Sequence, residues 1–184
     1  MQLRHFSETS VVIRYYNTYM KPIIQYGLLI YGCTTKSRLR NIFLVQKKVL
    51  RLIFFKSRRY PSEELFERSG IMNVYNLYVF ELLKYAVNAT RGTFDEHVGS
   101  LFTHKASLIS TRSVVSNMFH IPHLRLEINR QSLKYRGTLL LNHLLRKKLL
   151  PLNFEKCKEQ ELGKIIRSIG NRIKRECLAD IVFV

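Results

Sequence analysis

The sequence predicts a mainly α-helical fold: a small helical bundle followed by a second helical segment. Three observations carry that expectation. Apolar residues recur at intervals of three and four along several stretches, the spacing that lines one side of a helix. Ser, Asn, Pro and Gly stand where those stretches begin and end. Hydrophobic residues make up 46% and aromatics 11% of the 184 residues, which is core material and excludes a disordered basic tail. A chain of this length holds one domain or two small ones, not a large multidomain enzyme.

The first expected helix takes Ser10 as its cap and runs through Val11, Val12, Tyr15, Tyr16 and Tyr19, with Pro22 kinking or restarting it before Ile23 to Tyr31. Gly32 and Thr34-Thr35 form a break. The clearest helix follows, from Ser37 to Phe55, where Leu39, Ile42, Phe43, Gln46, Val49, Leu50, Ile53 and Phe54 build one apolar face. Pro61, Ser62 and the acidic pair Glu63-Glu64 read as a helix start with Ser62 as cap, and Gly70 closes it. Asn73 caps the next helix, periodic from Val74 to Ala89, and Gly92 stops it.

From Gly92 to Ile121 the chain is polar and lacks periodicity. His123 to Ile128 alternates with period two, which predicts a short strand. Gln131 to Leu149 and Asn153 to Leu178 read as two more helices, separated by Pro151 and weakened by Gly163 and Gly170. The expected organisation is therefore a basic helical bundle over residues 1–91, a polar connector over 92–121, and a carboxy-terminal helical segment with a short strand over 122–184.

Charge is the dominant functional signal. Lys and Arg number 31 against 13 Asp and Glu, a formal charge of +18. Between Glu8 and Glu63 no acid occurs, while eleven Lys and Arg do. At about 100° per residue, Arg40, Lys47, Arg51 and Arg58 fall on one flank of the apolar face of the Ser37 to Phe55 helix, with Lys48 beside them. A solvated helix face normally intersperses glutamates among its lysines, so an acid-free stripe points to a polyanion, most simply the phosphates of a nucleic acid. Arg40, Lys47, Lys48, Arg51 and Arg58 are the expected nucleic-acid-binding residues. The tyrosines between Tyr15 and Tyr31 are read as core or half-buried residues in preference to base-stacking platforms.

Catalytic residues, cofactors and metals are not expected. The two aspartates, Asp95 and Asp180, lie far apart, and two-metal chemistry needs clustered carboxylates. Glu63-Glu64 complements a helix dipole. His120 and His123 have a spacing two metal ligands can use, but Pro122 lies between them and no third ligand is near. Cys33, Cys157 and Cys177 suit neither a disulfide framework nor a zinc module. No secretory signal or membrane-spanning run is read, so an intracellular location, nuclear or cytoplasmic, is expected.

The order of motifs resembles a known family. Tyr15-Tyr16, Tyr26-Gly27 and Tyr31-Gly32, followed by Leu44-Val45-Gln46-Lys47-Lys48-Val49-Leu50-Arg51-Leu52-Ile53, are similar to the carboxy-terminal part of the reverse transcriptases of non-LTR retrotransposons, the jockey and CR1-like elements. Gln46-Lys47-Lys48 and Arg51 are the most specific matches. Leu65-Phe66, Ile71-Met72-Asn73-Val74, Leu77-Tyr78, Thr111-Arg112-Ser113, Ser132-Leu133-Lys134-Tyr135-Arg136-Gly137 and Asn142 continue it in order. Tyr31 and Leu141 stand where the family has Trp, and Thr138 where it has Pro, as in a diverged or truncated copy. The resemblance implies a thumb-like bundle that grips a template and primer duplex. It implies no catalysis by this chain alone, because the Tyr-x-Asp-Asp box of the palm has no counterpart here, and it makes the rest of the parent polymerase a partner. A different class of function remains open: a basic helical interaction protein docking on acidic partners or anionic lipids. Bulky apolar residues directly beside the Arg and Lys heads would favour lipid.

Overall fold

Pro22 shapes the first turn of the structure, a computed structural model that describes residues 8–33, 36–94, 97, 101–102, 118–151 and 153–175. Helix α1 (Thr9–Tyr15) widens into a π-helical segment at Tyr16–Met20 before α2 (Lys21–Gln25) begins. A proline ring crowds the carbonyl four residues earlier and offers no N–H. Widening the preceding turn absorbs that conflict without stopping the helix, as π-bulges commonly do. The cap position falls at Glu8, two residues before the expected Ser10. Glu8, in extended conformation, precedes the helix, and Ser10 lies inside it with its hydroxyl donated to the Glu8 carboxylate at 3.3 Å.

Gly27, at φ +67, turns the chain into α3 (Leu28–Tyr31), whose Tyr31 hydroxyl donates back to the Ile24 carbonyl. Gly32 is a close approach. A Cβ there would lie 2.5 Å from Cδ2 of Tyr78 and collide with the Leu28 carbonyl. Helix α4 (Lys36–Ile53) buries Leu39, Gln46, Leu50 and Ile53, members of the periodic face read from the sequence. It ends in two bonds, Lys56 N–H to Arg51 C=O at 2.9 Å and Phe55 N–H to Leu52 C=O at 3.4 Å. That is a Schellman ending, but with Phe55 at φ +54 where glycine is usual.

Helix α5 (Glu63–Ser69) follows. Ser62 does not cap it: at ψ −21 its backbone is already helical, its side chain is buried, and it accepts no bond from the first turn. A capping side chain needs an extended backbone to face back on those amides. Asn73 does cap α6 (Val74–Thr90), its Oδ1 accepting from Asn76 N–H at 2.8 Å. Gly92 closes it at φ +69, with Thr93 N–H on Asn88 C=O and Gly92 N–H on Ala89 C=O.

The chain divides into two compact units, Met1–Tyr78 and Val79–Val184, with the division inside α6. The first turn of α6 engages α4 through Val74, while later residues of the helix, such as Ala86, belong to the second unit. The core of the first unit gathers Tyr16, Leu50, Ile53, Leu65 and Ile71, with Val12, Ile13, Met20 and Ile24 against them.

In the second unit Tyr85 meets the rings of Phe94 and Phe102. The strand expected over His123 to Ile128 is absent: residues 120–125 are irregular and Glu127–Arg130 form a short helix, α7. A strand needs a ladder partner, and here the alternation half-buries Leu124 while leaving Leu126 and Ile128 exposed. Helix α8 (Leu133–Arg146) is capped by Ser132, whose hydroxyl accepts from Tyr135 N–H. It buries Leu140, Leu141, Leu144 and Leu145, and Gly137 admits Phe102 at a distance no Cβ would allow. Asn142 brackets Phe119, accepting its N–H and donating to its C=O, both at 2.9 Å. After a 3₁₀ turn at Phe154–Lys156, α9 (Glu159–Arg175) starts six residues later than the sequence suggests and passes through Gly163 and Gly170 unbroken. Leu162, Ile169 and Ile173 hold it to the core. Most of the polar connector, and Thr111-Arg112-Ser113 within it, lies outside the described residues.

Candidate nucleic-acid interface

The interface is built on α4. Its apolar face is held from three directions by one side chain, Gln46, which is 1% exposed. The carboxamide donates to the Tyr16 hydroxyl at 2.9 Å and toward the Met72 carbonyl at 3.4 Å, and its oxygen accepts Val74 N–H at 2.8 Å. Burial without such partners would cost about 1–3 kcal/mol per polar group. With them, Gln46 fixes the rotation of α4 and hence the side that faces solvent. Burial pushes the Tyr16 phenol above its ordinary 10.0, against the smaller opposing effect of Gln46.

The five expected binding residues divide into two groups. Arg40 and Lys48 are exposed on α4, and Lys47 is half-buried with its ammonium 4.3 Å from the Phe43 ring centroid. Among the described residues no carboxylate forms an ion pair with any of these three. Arg51 is different. Its Nε and Nη2 donate to the Tyr60 carbonyl at 3.1 and 3.0 Å, tying the helix end to the loop before α5. Arg58 lies beyond the last turn of α4, in the same loop, and is exposed. The stripe of four on one helix is therefore a row on α4 continued by a loop, with Arg51 occupied in holding the two together.

Two further cations of the acid-free segment, Arg38 and Lys56, stand outside the expected binding set. Arg38 is exposed in the first turns of α4, and that first turn contains no acid. Cations at a helix N-terminus oppose the dipole by about 0.3–1 kcal/mol each, an imbalance an approaching anion relieves. Lys56 sits 4.9 Å from the Tyr60 ring centroid. The Tyr60 hydroxyl donates to Glu64 at 2.6 Å, and that bond leads the upward shift of its titration.

His120 and His123 are both exposed on irregular chain. Among the described residues no group of three or more His, Cys, Asp or Glu is placed to hold a metal ion. Cys33 and Cys157 are free thiols, each turned toward a nearby backbone carbonyl, and Cys177 and both aspartates fall outside the described residues. No helix among the described residues is long and apolar enough to cross a membrane.

Comparison of the chain with protein-family models, curated proteins and solved structures gives no match. The chemistry of the α4 surface must therefore be read from the surface itself. Cations exposed on a helix are side chains of the kind that meet backbone phosphates where a nucleic acid is bound, contacts that position it without reading its sequence.

Proposed function

We propose that the chain derives from the carboxy-terminal, thumb-containing region of a non-LTR retrotransposon reverse transcriptase and that it binds nucleic acid through phosphates, without sequence preference. The observation that carries the binding is the set of unpaired cations on the outer side of α4, in a segment with no acid from Thr9 to Ser62. The order of motifs from Tyr15 to Asn142 supports the origin. In this reading the chain incorporates no nucleotides by itself, works in the nucleus or cytoplasm, and has the remainder of the parent polymerase as its natural partner.

The test is the salt dependence of duplex binding. Each neutralised phosphate adds about 0.9 to the slope of log K against log salt. Arg40 and Lys48 are exposed and hold no other element, so R40Q/K48Q should flatten the slope by about 1.8 with the melting temperature unchanged. Affinity should fall equally for duplexes of different sequence. An unchanged slope in a folded variant would remove the α4 surface from nucleic-acid binding.

A further inference from the structure

Rings and cations alternate along one flank of α4. At about 100° per residue, Arg40, Phe43, Lys47, Arg51 and Phe54, the residue that follows the helix, fall within an arc of about 80°. From Phe43 to Phe54 the row runs about 16 Å along the axis, the length of a few nucleotides. Neighbouring elements complete it within the first unit. Phe43 stacks on Phe66 of α5, their centroids 5.9 Å apart and their planes 13° from parallel, and Tyr75, in the first turn of α6, meets Phe43 at 5.2 Å. Phe66 packs against the core, so it holds Phe43 at the rim, and all three rings are half-buried. Cations stand over the rings of the row: the Lys47 ammonium lies 4.3 Å from the Phe43 centroid, and Cζ of exposed Arg68 lies 5.4 Å from that of Phe54.

We propose that this row is a stacking platform for unpaired nucleotides, with Phe43 the ring on which a base sits, an assignment that rests on the nucleic-acid binding proposed for α4 and extends it from duplex phosphates to single strands. Single strands are gripped by this combination, flat rings for the bases beside cations for the backbone, and every base has a face to offer, so the platform reads no sequence. In a duplex the base faces are already stacked on one another and do not reach Phe43. Lys47 marks the place a base takes. A cation over an exposed ring is worth about two- to fivefold in an equilibrium, a base on an aromatic ring about five- to 150-fold, so the base displaces the ammonium, and its flexible stem carries it to a phosphate. An acidic protein would pair with Arg40 and Lys47, but the face of a ring is electronegative and repels a carboxylate. It would leave Phe43 and Phe54 unused, whereas the bases and phosphates of one strand engage rings and cations together.

The chain contains no tryptophan, so F43W places a single reporter in the platform. Near physiological salt its emission should be quenched by a short oligothymidylate and not by a duplex. F43L keeps every charge and an apolar side chain against Phe66 and Tyr75. It should keep a cooperative melt and lose at least about fivefold in oligothymidylate affinity, with duplex affinity and its salt slope unchanged. Wild-type affinity for oligothymidylate in F43L, or an unquenched F43W emission on a bound strand, would overturn the platform and leave the phosphate contacts of α4 intact. Equal losses for strand and duplex in folded F43L would also overturn it, making Phe43 a support for Lys47. Failure of the wild-type chain to bind either strand or duplex would overturn the nucleic-acid reading of α4 itself. A quench by polyglutamate equal to that by oligothymidylate would assign the row to an acidic protein instead.

Discussion

The carboxamide of Gln46 donates to the hydroxyl of Tyr16 at 2.9 Å, joining the middle of α4 to the π-helical turn of the amino-terminal segment. Both groups are buried, and the same glutamine also receives the first amide of α6. Replacing it with leucine would leave the Tyr16 hydroxyl and the Val74 amide without that partner. Q46L should lose about 2–4 kcal/mol in urea denaturation. Y16F should lose about 1 kcal/mol, and a double-mutant cycle should return a coupling of about 0.5–3 kcal/mol.

The same tyrosine makes stability sensitive to alkali. Its folded titration lies above the ordinary 10.0 because burial favours the neutral phenol, and Tyr31 shifts in the same direction for the same reason. The stability this contributes is complete below about pH 10, where the unfolded phenol titrates, and is lost as pH rises through the higher folded value. Melting temperature should hold up to pH 10 and fall beyond it, and the fall should be shallower in Y16F.

Phe55 occupies the left-handed position that ends α4, at φ +54 and 55% exposed. A side chain there carries about 1–2 kcal/mol of backbone strain, and an exposed ring recovers little of it by packing. F55G should therefore raise the urea midpoint, by about 0.5–1 kcal/mol after the entropy glycine loses on folding. F55V should lower it.

Gly32 and Gly137 are close approaches of a different kind, since neither has a positive φ and each instead admits an aromatic ring, Tyr78 and Phe102 respectively. G32A should cost more than G137A: its Cβ meets backbone as well as ring, whereas at Gly137 a ring must yield by a few tenths of an ångström. Losses of about 1–3 kcal/mol are expected, read from thermal or urea melts.

Arg51 separates structure from binding within the stripe. Its two bonds to the Tyr60 carbonyl are charge-assisted and part-buried, so R51Q should lower stability by about 1–2 kcal/mol. An R51Q variant that melts normally while its salt slope flattens by about 0.9 would place Arg51 with the phosphate contacts instead.

Sequence alone determined what periodicity and punctuation can carry. The mainly helical fold, the buried face of α4, the Asn73 cap and the Gly92 stop follow from local rules, because an i, i+3, i+4 pattern and a capping side chain act within a turn or two. The absence of acids around α4 is equally a property of the chain as written. Tertiary structure decided everything that depends on which side of a helix meets another element. Gln46 sat visibly in an apolar row, but only its partners at Tyr16, Met72 and Val74 show it to be a lock. The tyrosines of the first helices share one periodicity, and packing alone buried Tyr16 while leaving Tyr15, Tyr19 and Tyr26 in solvent. Alternation at His123 to Ile128 could not become a strand without a ladder, and Arg51 could not be distinguished from Arg40 until the loop after α4 brought Tyr60 to it. Those contacts join residues separated in the sequence, and spacing along one chain carries no record of them.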